Sequence, residues 1–252
     1  METLFIGKNA VFLPETESTN SYAIDMLKNV NPAEGTIVYT ANQTQGKGQR
    51  GSSWKSDPAR NLAVSVILRP GFLNIEKQFY LYQVAALAAH DTITHLLKSS
   101  QFDIKIKWPN DILVNQRKVA GVLIENNVMN NQVNWCVMGV GININQEDFE
   151  GLPKATSLKH ITGGRLNVDE ALSFFCTNLE RRYLALKAGK FDAIKSEYLQ
   201  HLFGLNQVMN FILNGEASNM QVRGISQSGL LVLKDNKGHD RELDVKDAEW
   251  LY

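Results

Sequence analysis

The stretch Phe102-Asp-Ile-Lys-Ile-Lys-Trp-Pro-Asn-Asp-Ile-Leu-Val-Asn-Gln-Arg-Lys-Val-Ala-Gly-Val-Leu-Ile-Glu125 decides the fold. A β-rich run ends at Lys107, where Pro109 locks φ and removes a backbone donor. A second apolar run opens at Asp111, Asn115-Gln116 supplies turn chemistry, and a third run follows. With one more run beyond a polar turn at 126–131, the pattern predicts strands at 103–107, 111–114, 119–125 and 133–140. Lys107, Asn110 and Asp111 then gather around a Trp-Pro corner, setting a lysine, an amide and a carboxylate at one strand end.

Working outward, residues 76–98 read as a long, alanine-rich helix with apolar residues on much of its surface, so it is expected to be buried. Ahead of it lie strands at 10–14, 35–41 and 61–68, the last stopped by Arg69-Pro-Gly71. Ser18-Thr-Asn20 offers three N-cap residues to a helix ending near Asn29. Helices are expected at 169–188 and 191–198. From about residue 205 short strands take over, at 207–213, 220–225, 229–233 and 241–245, with turn signals at Asn214-Gly215 and at 236–238. That spacing suits a small five-stranded barrel of SH3-like size. The expectation is an α/β (α+β) fold: a mixed β-sheet with helices on one face in residues 1–204, then an SH3-like barrel in 205–252.

At 252 residues the chain can bury one sizeable core plus a small appendage. A formal net charge of zero argues against a general nucleic-acid binder, which needs a basic excess for phosphate contacts. No signal-peptide pattern opens the chain and no apolar run reaches membrane-span length, so a cytoplasmic protein is expected. Cys136 and Cys176 lie far apart in apolar surroundings and read as buried free thiols.

The second informative stretch is Gln43-Thr-Gln-Gly-Lys-Gly-Gln-Arg-Gly51. Its glycines let backbone N–H groups approach a ligand, and Lys47 and Arg50 alternate with them. Trp54 follows, an aromatic suited to stacking on a base. The loop lacks the Gly-Lys-Ser/Thr of a P-loop and the dinucleotide fingerprint. With Lys107, Asn110 and Asp111 it suggests polyphosphate held by cations and N–H groups, and a carboxylate for a divalent metal. Lys118 reaches the same pocket if 111–125 forms a hairpin. Glycine within the strand segments around Gly121, Gly139 and Gly141 implies close approach of a ligand or another backbone, and Asn143 ends its strand with its amide available. A mobile surface loop and solvated lysines are the bland alternative for each feature.

Taken together, Ser18-Thr-Asn20, Gln43 to Trp54, Lys107-Trp-Pro-Asn-Asp111, Lys118-Val-Ala-Gly-Val-Leu-Ile-Glu125 and Gly139-Val-Gly-Ile-Asn143 resemble the biotin protein ligases, in the family's order and spacing. The resemblance implies a class II synthetase-like catalytic domain and an ATP-dependent biotin–[acetyl-CoA-carboxylase] ligase. Such an enzyme joins biotin to ATP as biotinyl-5′-AMP, then passes biotin to a lysine of a biotin carboxyl carrier domain. It implies ATP and biotin as substrates, with Mg²⁺ at Asp111. Ser18, Thr19, Asn20, Gln43, Lys47, Gly48, Gln49, Lys118 and Gly121 would bind biotin. Lys47, Arg50, Trp54, Asn110 and Asn143 would bind ATP, and Lys118, Lys107 and Arg50 would be catalytic. A lipoate or octanoate ligase of the same fold and a non-catalytic biotin-binding adaptor are the rival readings.

Two departures from the family pattern stand out. Lys47 and Gln49 occupy positions where arginine is commoner, so the planar fork is lost at one and the charge at the other. The catalytic pattern also starts within the first ten residues, without space for the N-terminal DNA-binding domain of many bacterial members, so no DNA partner is expected. A homodimer is left open.

Overall fold

The computed structural model describes residues 2–99, 101–213 and 215–251. Its strands are β1 (Ala10–Thr16), β2 (Ile37–Gln43), β3 (Leu62–Leu68), β4 (Ile104–Lys107), β5 (Asp111–Val114), β6 (Arg117–Met129) and β7 (Gln132–Ile142). They form one sheet in the order β1-β2-β3-β7-β6-β5-β4. β1 and β2 run parallel and every other neighbour antiparallel, which makes the sheet mixed.

The 115–116 turn forms as the residue types suggest: Asn115 and Gln116 both take positive φ, the requirement of a tight two-residue hairpin. The next turn is shorter than expected. β6 continues through Asn126 and Asn127 to Met129, and only Asn130-Asn131, both at positive φ, reverse the chain. Those polar residues lie where the hairpin reaches solvent, so pairing continues without an apolar pattern to announce it.

The helices are α1 (Thr19–Asn29), α2 (Phe79–Leu97), α3 (Leu158–Thr162), α4 (Val168–Lys187) and α5 (Phe191–Gln200). They occupy both faces of the sheet, against the expectation of one. β3 is buried at every residue because both its faces are covered. Leu62, Val64, Val66 and Leu68 join the main core with α2 and α4, while Ile67 packs with Ala23 of α1, Val38 and Val137. α2 is buried along most of its length, as its composition implies. No helix among the described residues is long and apolar enough to cross a membrane.

The C-terminal unit is a five-stranded antiparallel sheet of β8 (Val208–Leu213), β9 (Glu216–Ile225), β10 (Leu231–Lys234), β11 (Asp240–Leu243) and β12 (Ala248–Leu251), in the order β11-β10-β9-β8-β12. The expected signal at 236–238 is a turn with Gly238 at positive φ. Asn214, half of the other expected turn, lies outside the described residues. The unit docks on the large sheet's corner: Trp108 Nε1 donates to Gly229 O at 2.9 Å. Gly229 has positive φ, and a Cβ there would fall 2.4 Å from Phe79 Cγ, so the turn presses directly on α2. Buried Phe211, Val222, Leu231 and Trp250 belong to the same continuous core as the large sheet.

Candidate active site

A cleft of about 780 Å³, including its open mouth, lies on the sheet face that carries α1. Three parts of the chain converge there. The β1–α1 junction supplies Ser18, Thr19 and Asn20; the loop after β2 supplies Gln43, Lys47, Gly48, Gln49 and Trp54; and the β5–β6 hairpin supplies Asn110, Asp111, Lys118 and Gly121.

Ser18 stands at the N-cap of α1 in extended backbone, yet its hydroxyl makes no capping bond. Ser18, Thr19 and Asn20 are all nearly inaccessible to solvent. Thr19 N donates to Gln43 Oε1 at 3.0 Å, which ties the helix start to the end of β2. Asn20 Nδ2 donates to Glu125 Oε2 at 2.8 Å, and Ser65 Oγ donates to Asn20 Oδ1 at 2.6 Å.

The strand glycines make room for side chains rather than for another backbone. A Cβ on Gly141 would lie 2.5 Å from Trp54 Cε2, one on Gly121 3.2 Å from Trp54 Cζ3, and one on Gly139 2.3 Å from Asn20 Oδ1. The Trp54 indole thus lies flat on β6 and β7 within the cleft, its Nε1 buried without a partner. Lys118 Nζ sits 5.6 Å from the Trp54 ring centroid and 2.7 Å from Asp111 Oδ1. The hairpin has carried Lys118 into the pocket, since Leu113 pairs with Lys118 across the ladder. Asn110 locks the corner by donating Nδ2 to Val122 O at 2.7 Å, while its own carbonyl receives Val122 N at 2.9 Å. The Trp108–Pro109 peptide bond is cis.

Three expected residues do not line this cleft. Arg50 takes a left-handed conformation and points to the C-terminal unit, where its guanidinium pairs with Asp244. It lines a neighbouring cavity with Phe79, Trp108 and Gly229, and Gln49 borders both spaces. Lys107 lies at the end of β4, where burial, partly offset by Asp111, holds its ammonium below the usual lysine range. Asn143 is turned inward: its Nδ2 donates to Thr156 O at 3.2 Å, and its Oδ1 is buried without a partner. Its amide is therefore half engaged rather than fully available. Lys47 reaches across the mouth to Ser21 Oγ at 2.8 Å.

Among the described residues, no group of three or more His, Cys, Asp or Glu side chains can hold a metal. Asp111 is a single carboxylate already paired with Lys118. It suits an ion that arrives on a polyphosphate and needs one or two protein oxygens, not a resident metal cage. Cys136 and Cys176 are buried and free, as expected, and burial pushes both thiols above their ordinary range.

The structure adds residues that sequence reasoning did not single out: Ser65, Glu125, Ser52, Ser53 and Leu123. Ser65 carried a signal, being the one hydroxyl in an otherwise apolar strand, and Glu125 ends the run that starts at Lys118. Ser52 and Ser53 carried none beyond polarity.

Residues 12–143, which contain all of these cleft residues, match the model of the Biotin/lipoate A/B protein ligase family. The chain is 30% identical over 243 residues to the bifunctional ligase/repressor BirA of Bacillus subtilis, covering 94% of this chain and 73% of that protein. This chain belongs to the biotin/lipoate A/B protein ligase family. Within that family it is also 30% identical to the biotin–[acetyl-CoA-carboxylase] ligase of Paracoccus denitrificans, with 90% of this chain and 94% of the relative covered. Its fold is similar to the biotin protein ligase of Aquifex aeolicus in complex with biotin and ATP, at a TM-score of 0.80, 26% identity, and coverage of 97% and 99%. The structural likeness to the Aquifex aeolicus protein therefore extends over nearly the whole of both chains.

Proposed function

We infer that this chain is a biotin protein ligase that activates biotin with ATP to biotinyl-5′-AMP and transfers biotin to a lysine of a carboxylase's carrier domain. The observation that carries this reading is Lys118, whose ammonium stands 2.7 Å from Asp111 in a cleft that has a buried hydrogen-bonding pocket at one end. Activation joins two anions, a carboxylate and the α-phosphate, and only a preorganised cation at their meeting point offsets the repulsion. The biotin carboxylate attacks the α-phosphorus and pyrophosphate leaves. The carrier lysine amine then attacks the acyl carbonyl and AMP leaves.

In this reading Ser18, Thr19, Asn20 and Gln43 hold the head of biotin, and Lys118 meets the carboxylate and acyl-phosphate oxygens. Lys47, Gly48, Gln49 and Gly121 flank the bound biotin. Asn110 and Trp54 serve the nucleotide from within the cleft, whereas Lys107, Arg50 and Asn143, which lie outside its lining, would have to turn toward it to reach the phosphates and base. Asp111 would supply one oxygen to a Mg²⁺ brought by ATP, whose charge would help offset that of the phosphates. Trp54 lies against Gly121 and Gly141 within the cleft, where its indole is available to the nucleotide. We propose the domain division at 204/205 and no operator-DNA binding, because a chain of zero net charge lacks the basic excess for phosphate contacts.

The test is transfer. The chain, biotin, MgATP and a purified carrier domain are incubated and the carrier is analysed by peptide mass spectrometry. One biotinyl group on one carrier lysine, dependent on ATP, is expected. A carrier that stays unmodified while a known ligase modifies it would refute the reading.

A further inference from the structure

One end of the cleft is wired by a single chain of hydrogen bonds that begins at a carboxylate. Glu125 Oε2 lies 2.8 Å from Asn20 Nδ2, and Asn20 Oδ1 lies 2.6 Å from Ser65 Oγ. Ser65 Oγ lies 2.8 Å from Thr19 Oγ1, and Thr19 Oγ1 lies 3.2 Å from Gln43 Oε1. Asn20, Ser65 and Thr19 are 3%, 0% and 4% exposed, so solvent cannot reset their orientations. Gly139 allows the amide to lie flat on β7.

Counting protons fixes the direction of this chain. A carboxylate at neutral pH only accepts, so Asn20 turns its NH₂ to Glu125 and its oxygen to Ser65. An amide oxygen cannot donate, so the one Ser65 hydrogen goes to Asn20. The 2.8 Å contact between Ser65 and Thr19 then takes the hydrogen of Thr19. Thr19 Oγ1 has no second hydrogen for Gln43 Oε1, which is held instead by the Thr19 backbone N–H. Thr19 Oγ1 and Gln43 Oε1 each keep a spare lone pair at the cleft end, where a ligand N–H group finds acceptors and no competing hydroxyl donor.

We propose that Glu125 is a specificity-determining positioning residue: by orienting Asn20, Ser65 and Thr19 it makes the cleft end read an N–H donor. A cyclic urea head supplies that donor. A dithiolane or alkyl head supplies none and forgoes that hydrogen bond, so the cleft end favours the urea. Glu125 touches no reacting atom in this arrangement. The proposal rests on the ligase reading for the position of the head group, and it explains how one member of a family serving both biotin and lipoate reads biotin.

The test compares the unaltered chain with Glu125→Gln, Ser65→Ala and the double variant. Affinities for biotin and lipoate are measured by calorimetry, and KM and kcat by biotin-dependent ATP–pyrophosphate exchange. Glutamine removes the obligate acceptor of Asn20 Nδ2 and leaves only the longer 3.5 Å contact with Leu123 O to orient the amide, so the biotin Kd and KM of Glu125→Gln should rise about tenfold. Its kcat should hold within about twofold, and its preference for biotin over lipoate should shrink by the same factor as its affinity. Ser65→Ala should act in the same direction, and the double variant should be no weaker than the worse single one, since both interrupt one chain. A folded Glu125→Gln protein with unchanged biotin KM would overturn the proposal, as would a fall in kcat with the preference intact, or additive losses. If Glu125→Gln does not fold, Ser65→Ala decides alone: an unaltered preference refutes the chain. Failure of the unaltered protein to bind biotin would overturn the ligase reading and this inference together, an outcome distinct from failure in the variants.

Discussion

At the scale of single residues, Lys118 bears the heaviest chemical demand. Its ammonium is one-third exposed and paired with Asp111, so it is accessible to a ligand and already oriented. In the proposed reaction, Asp111 would hold it until substrate carboxylate and phosphate arrive. Lys118→Ala should keep the fold and lose most adenylate formation, with a barrier increase of roughly 2.7–4 kcal/mol, the usual cost of removing one preorganised stabiliser. Single-turnover formation of biotinyl-5′-AMP measures this directly. Near-normal formation in a folded variant would move the activating role elsewhere, Lys107 being the next candidate because burial already lowers its proton affinity. The residue types at the cleft were legible before the fold was known, because lysine, amide and carboxylate around a Trp-Pro corner have few other uses. Their partners were not. Nothing in the sequence placed Trp54 on Gly121 and Gly141, or Asn20 between Glu125 and Ser65, because those contacts join segments that only the sheet brings together.

At the scale of elements, turn chemistry and apolar periodicity located most of the strands and the long helices. The Asn115-Gln116 and Asn130-Asn131 turns both take positive φ at two successive residues. Less legible were α3, five residues capped by Ser157, and β12, whose pairing with β8 depends on a partner far earlier in the chain. The contact between α2 and α5 carries a pH dependence of its own. The His90 and His201 rings meet at a tilt of 36° with centroids 4.0 Å apart. Burial first, and then His90, hold the His201 imidazole below its ordinary range, with Glu197 and Asp91 opposing and Lys105 assisting. The folded state therefore resists a proton that the unfolded chain accepts below about pH 6.5. That contribution is complete above this pH and is lost as pH falls toward the depressed folded value. Melting temperature should drop between about pH 7.5 and 5.5, and His201→Gln should flatten the slope. An unchanged slope in His201→Gln would assign the acid sensitivity to another group.

At the scale of the whole molecule, the C-terminal unit and the catalytic sheet share one core and meet at the catalytic corner. The Trp108 indole bonds to Gly229, Tyr198 donates to the Pro109 carbonyl at 3.3 Å, and Ile106 N bonds to His201 O at 2.8 Å. The corner that presents Asn110 and Asp111 is thus held from three sides, by the small unit, by α5 and by the segment after it. Arg50 adds a fourth link from the loop to Asp244, though an ion pair this exposed contributes little to stability. The sequence pattern announced a small β unit but not this docking, since Gly229 and Trp108 lie 121 positions apart. The first half of the proposed reaction is open to direct measurement. Purified chain, ATP, Mg²⁺ and labelled pyrophosphate are mixed with and without biotin, and incorporation of label into ATP is followed. Exchange that requires biotin and is not supported by lipoate is expected; absence of biotin-dependent exchange in folded protein, or exchange that lipoate drives equally well, would contradict the ligase reading.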